Sequence, residues 1–158
     1  MRLVEQHSLR PHLYADDTQV YGVCPPSEVK SLEEQMSGCL DDIALWMRSN
    51  RLQLNTAKTE ALWCTTTRRQ HQLPVNALRV GSDTVSSVAS VRNLGIYLDA
   101  DVTMTTHVSK TVRGCFAVLH QIRSIRRSVT KPILQSLVVS LVLSRLDYGN
   151  AVLAGLYN

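Results

Sequence analysis

Leu13-Tyr14-Ala15-Asp16-Asp17-Thr18-Gln19-Val20-Tyr21 decides how the rest of the chain is understood. The runs Pro11 to Ala15 and Thr18 to Val23 carry β-branched and aromatic residues that favour strands. They meet at an Asp-Asp pair able to occupy a two-residue hairpin turn. Adjacent carboxylates repel, so keeping both ionised at neutral pH requires solvent, a basic partner or a divalent cation. Asp16 and Asp17 are therefore candidate metal ligands, set against the plainer reading of a solvated turn in which aspartate bonds its own backbone.

Working outward, Pro25-Pro26-Ser27 stops the second strand and starts a helix from about Glu28 to Ser49. Val29, Leu32, Met36, Cys39, Leu40, Ile43 and Met47 recur at three- and four-residue steps on one face of it. Asp41-Asp42 is a second carboxylate pair, but helical neighbours diverge by about 100°, so these two read as solvated surface. Ala61 to Thr65 reads as a strand with Trp63 covering its face, and Leu78-Arg79-Val80 and Thr84-Val85 flank a turn at Gly81-Ser82-Asp83. Val91 to Asp99 reads as a final strand in which Gly95 marks a bulge or a close backbone approach.

The remainder reads as helical. Val108, Val112, Cys115, Leu119 and Ile122 make an apolar face opposite Lys110, Arg113, Gln121, Ser124 and Arg127. A second helix starts at Thr130-Lys131-Pro132, is broken or bent over Arg145 to Asn150, and is followed by a third from Ala151 to Tyr157.

A hydrophobic content of 44% over 158 residues is enough for a folded domain. The net charge of +4 is unevenly placed. Ten Lys/Arg stand against twelve Asp/Glu through Asp101, whereas Val102 to Arg145 holds seven cations and no acid. Such a surface suits a phosphate backbone, although basic faces also serve solubility. The predicted contacts for weak, non-specific nucleic acid binding are Lys110, Arg113, Arg123, Arg126, Arg127 and Lys131, with no base stacking for want of interleaved aromatics. Four scattered cysteines suggest neither a zinc site nor a disulfide framework. With no signal-like N-terminus and no apolar run long enough for a bilayer, the expectation is a soluble intracellular protein without membrane contact, nuclear or cytoplasmic being unresolved.

Tyr14-Ala15-Asp16-Asp17, the string Leu52-x-Leu54-Asn55-x-x-Lys58-Thr59-Glu60, the string Leu94-Gly95-Ile96-Tyr97-Leu98-Asp99 and the run Ser144 to Leu156 follow one another in order. Together they resemble the later palm and thumb-like region of reverse transcriptases of non-LTR (LINE-type) retrotransposons. The resemblance implies an α+β fold: a partial polymerase palm of an antiparallel hairpin, a helix and further strands over residues 1–100, then a basic, helical, thumb-like subdomain over 101–158. It implies RNA-directed DNA polymerase chemistry with Mg2+ or Mn2+ in the intact parent, on an RNA template and a DNA primer. Asp16 is then the principal metal ligand and Asp17 its support, Lys58 lies near the nucleotide phosphates as a third catalytic residue, and Tyr14, Leu94 and Gly95 line the primer terminus. The family draws another catalytic aspartate, a template-strand segment and the fingers from sequence before the acidic hairpin. Thirteen residues precede Tyr14, so the expectation is a polymerase portion inactive alone. The alternative is a non-catalytic nucleic-acid-binding or interaction remnant.

Overall fold

The computed structural model describes residues 2–15, 17–74, 77–81 and 83–153, which form two compact units, 1–89 and 90–158. The fold class is α+β: long helices accompany small antiparallel hairpins. Among the described residues the strands make three separate two-stranded hairpins and no larger sheet.

In the first unit a short helix α1 (Arg2–Gln6) leads into hairpin β1 (Arg10–Tyr14) and β2 (Asp17–Tyr21). The register pairs Tyr14 with Asp17. This corrects the expected turn: Asp17 is the first residue of β2 and pairs with Tyr14, while Asp16 lies outside the described residues. Ala15 takes the positive φ, +52°, that a tight two-residue turn demands. After Pro25 the chain makes a single 3-10 turn, Pro26–Glu28, and enters α2 (Val29–Ser49), one residue from the expected start. Helix α2 ends in a Schellman motif, with Leu52 N–H donating to Met47 O, Arg51 N–H to Arg48 O, and Arg51 at φ +57°.

The first core joins Val4, Leu9, Leu32 and Cys39, with Met36, Ile43 and Trp63 packed against it. Leu32, Met36, Cys39 and Ile43 are the face that the spacing predicts. Asp41 and Asp42 are not merely solvated. Asp42 Oδ2 meets His7 Nε2 at 2.8 Å, and Asp41 takes a two-pronged contact from Arg79. The divergence that excludes a shared ion instead sends each carboxylate to a different partner.

The expected strand at Ala61 to Thr65 is reduced to one parallel bridge between Ala61 and Ser87. Its propensity has no neighbouring strand to satisfy, and Trp63 turns into the core instead. The hairpin β3 (Leu78–Val80) and β4 (Asp83–Val85) forms where expected.

The second unit opens on β5 (Ser90–Asn93) and β6 (Ile96–Asp99). What reads as one strand is a hairpin: Leu94 at φ +46° and Gly95 at φ +86° make a two-residue turn. The sequence boundary at residue 100 thus falls after this hairpin, whereas the compact unit includes it, with β6 packed along α3 (Thr105–Ile125). Helices α4 (Lys131–Val138) and α5 (Ser144–Asp147) are joined by a π-helical stretch, Val139–Leu143, and α6 (Asn150–Leu153) follows. Part of the expected third helix, 154–157, lies outside the described residues. Cys115, Ile122 and Val142 form the second core with Val118, Leu134, Leu137 and Val138. Val108, Val112 and Leu119, expected in the apolar face, are exposed beside Phe116. The face of α3 is wider than α4 and its continuation cover. No helix among the described residues is long and apolar enough to cross a membrane.

Candidate functional site

The acidic hairpin is the first place to look for chemistry. Asp16 lies outside the described residues, so the pair is represented by Asp17, exposed at the start of β2. Tyr14, its cross-strand partner, is 61% exposed. Asp17 borders a cleft of about 1640 Å³ in the first unit. Along the same cleft lie Lys58 and Glu60 from the loop after α2, Tyr21 from β2, and Trp46 and Trp63.

Lys58 is held locally rather than by the cleft. Thr56–Lys58 is a 3-10 turn, Lys58 N–H donates to Asn55 O, and the Thr59 hydroxyl donates to the same carbonyl at 3.0 Å. The Asn55-x-x-Lys58-Thr59 spacing thus has a structural meaning, because the asparagine carbonyl collects the turn and leaves the exposed Lys58 ammonium outside it. Two of the sequence-derived residues, Asp17 and Lys58, are brought to one cleft.

The fit of a divalent ion is decided by ligand number. No group of three His, Cys, Asp or Glu side chains converges among the described residues. Hard cations such as Mg2+ take several oxygen ligands, so the described residues do not by themselves make a two-ion centre, and no step is derived through one.

Leu94 and Gly95 sit in the second unit at the turn of β5–β6. A Cβ on Gly95 would stand 3.0 Å from Tyr148 Cε1, and the Tyr148 hydroxyl donates to Leu94 O. The close approach expected at this glycine is therefore filled by a side chain of the same unit. Gly149, the next residue, packs against Ile96 and the ring of buried His107. Two strings read separately in the sequence, Leu94 to Asp99 and Ser144 to Leu156, meet here through Tyr148 and Gly149.

Asp99, 7% exposed, closes the other end of the hairpin. Its Oδ2 accepts Thr106 N–H at 2.8 Å, placing negative charge where the first turn of α3 presents unpaired donors. Asp101 accepts both the hydroxyl and the N–H of Thr103, and these two bonds hold its carboxyl below the ordinary carboxylate value.

The six expected nucleic-acid contacts, Lys110, Arg113, Arg123, Arg126, Arg127 and Lys131, are all exposed. Along α3, Arg113 lies opposite the buried Cys115 and Ile122, while Lys110 and Arg123 lie to either side of it. They form a broad positive surface rather than a single line. Lys110 also has a neighbour that helical periodicity could not reveal: its Nζ stands 3.8 Å from the centre of the Tyr97 ring, and Arg92 Cζ is 5.9 Å from the same point. Arg92 and Tyr97 are cross-strand partners of β5–β6. The missed signal was Asn93-Leu94-Gly95, which as a turn fixes that register. No protein-family model, no curated protein and no solved structure matches the chain.

Proposed function

We propose that the chain is part of an RNA-directed DNA polymerase of the LINE-type retrotransposon class, contributing an acidic palm hairpin in its first unit and a basic template–primer-binding surface in its second. The observation that carries this reading is that Asp17, from the Tyr-Ala-Asp-Asp string, and Lys58, from the Asn-x-x-Lys-Thr-Glu string, border one cleft although 41 positions separate them in sequence. Motif order alone does not require that. Asp16 and Asp17 are the carboxylates offered to Mg2+ or Mn2+, together with a further aspartate from elsewhere in the intact polymerase, and Lys58 is the cation offered to the nucleotide phosphates. Tyr14, Leu94 and Gly95 are the residues offered to the primer terminus.

A second reading, a nucleic-acid-binding remnant without catalysis, is favoured by the exposure of the six cations. Both readings require binding of an RNA–DNA hybrid. The purified chain is expected to bind such a hybrid at low salt, with affinity falling steeply as salt rises, and with Mg2+ to incorporate no nucleotide alone. Absence of hybrid binding at about 50 mM salt overturns both readings. Template-dependent extension by the chain alone overturns the dependence on a further aspartate. A chimera in which this chain replaces the corresponding region of an active LINE-type reverse transcriptase separates the two readings: loss of extension in Asp17→Asn supports the first, and unchanged extension refutes it.

A further inference from the structure

The second unit contains three carboxylates, and each is directed elsewhere. Asp99 is buried and bonded to Thr106 N–H, Asp101 is bonded to Thr103, and Asp147 accepts from the Asn150 side-chain amide. Arg92 and Lys110 are both exposed, and neither pairs with a carboxylate among the described residues. Both nevertheless lie over one half-buried aromatic ring, so their charges are at most about 10 Å apart. The electron-rich face of Tyr97 offsets part of the cost of gathering like charges.

A third cation lies against α3 one turn further along. Gly114 lies one turn beyond Lys110 on the same side of α3, and a Cβ there would stand 3.3 Å from Arg145 Nη1. The missing side chain lets the Arg145 guanidinium lie on the helix. Arg145 is itself exposed and makes no carboxylate pair among the described residues. Three elements, β5, α3 and α5, thus deliver cations toward one side of α3, none of them paired with a carboxylate among the described residues.

The geometry points to Arg92, Lys110 and Arg145 as a phosphate-binding cluster organised by Tyr97, whose ligand is the phosphodiester backbone of a nucleic acid strand. This rests on the nucleic-acid reading above and deepens it: the cluster adds Arg92, which lies outside the acid-free run, brings Arg145 of that run into the contact set, and makes Tyr97 a positioning residue. Its ring is already engaged by cations, so the ring serves to hold them, and binding is insensitive to base sequence.

The test measures Kd of the full chain for a labelled single-stranded RNA across a salt series. Each lost phosphate contact lowers the slope of log K against log salt by about 0.7 for a single strand. Arg92→Ala and Arg145→Ala are each expected to lower it by that amount. Tyr97→Leu, which keeps the cations and removes the ring, is expected to weaken binding about threefold, and Tyr97→Phe to restore it. A circular dichroism melt identifies any variant that has unfolded, and charge-removing Arg92→Gln and Arg145→Gln then stand in for an unfolded alanine variant. If wild type binds, and Arg123→Ala/Arg126→Ala/Arg127→Ala weakens it while the Arg92, Arg145 and Tyr97 variants do not, the cluster is wrong and the broader reading stands. If wild type binds no RNA, the nucleic-acid reading falls. The cluster is then judged by NMR titration with inorganic tripolyphosphate: shifts at Arg92, Lys110 and Arg145 support a site for free phosphates, and none overturns it.

Discussion

Gly81 is the first turn residue of the β3–β4 hairpin and Gly95 the second of β5–β6, both at positive φ, +63° and +86°, yet their surroundings differ. Nothing lies within 4 Å of a Cβ placed on Gly81, whereas a Cβ on Gly95 meets the Tyr148 ring. Gly81→Ala should therefore cost only the backbone penalty, about 1 kcal/mol. Gly95→Ala adds displacement of Tyr148 and its hydroxyl bond to Leu94 O, for about 2 to 3 kcal/mol in total. Urea denaturation of the two variants checks the difference, and equal losses would show that Tyr148 contributes nothing at the turn. The sequence marks Gly95 as a position of close approach but not what approaches, because Tyr148 is 54 residues from the Leu94 carbonyl it binds. The Asp16–Asp17 pair shows the converse limit. The sequence displays the two carboxylates side by side, but not that Asp17 opens β2 opposite Tyr14.

At the level of elements, helix periodicity located α2, α3 and α4 well, since a buried stripe at 3.6-residue spacing does not depend on the partner's identity. Strands were less legible. Ala61 to Thr65 has strand composition without a strand beside it, and Ser90 to Asp99 has hairpin geometry within what reads as a single extended run. The join between β6 and α3 rests on Asp99, which no periodicity exposes. Asp99→Ala removes the acceptor for Thr106 N–H and should destabilise the second unit by about 1 kcal/mol. Asp99→Asn keeps an acceptor oxygen and should cost less. Its second carboxylate oxygen is buried with no donor among the described residues, and the amide replaces that atom with another polar group. Urea melts of the two variants test the ranking, and a larger loss in Asn than in Ala would reverse the role assigned to Oδ2.

Across the whole molecule, the charge asymmetry that the sequence displays corresponds to real exposure of the cations, while the grouping of Arg92 with Lys110 required the folded chain. The two units have separate cores, each with a buried cysteine, Cys39 and Cys115. Burial, with the Asp42 charge nearby, pushes the Cys39 thiol above its ordinary value. A raised folded-state value means that the contribution is fully present below the unfolded thiol's pKa and is lost as pH rises through the folded one. Stability should therefore fall in alkaline solution, and Cys39→Val should reduce that fall. Denaturation of both proteins at neutral and alkaline pH is the check, with an identical pH dependence counting against it.

The bond from Tyr148 to Leu94 also bears on synthesis. On a ribosome adding about 5 to 20 residues per second, the β5–β6 turn is made roughly 3 to 11 seconds before the tyrosine 54 positions later that secures it. During that interval the β6 end of the hairpin is held by α3, through Asp99 to Thr106 N–H and Lys110 on the Tyr97 ring, while the Leu94–Gly95 turn lacks the Tyr148 side chain that packs on it. The turn is therefore the part of the hairpin secured last, and a nascent chain stalled before Tyr148 would carry it without that bond.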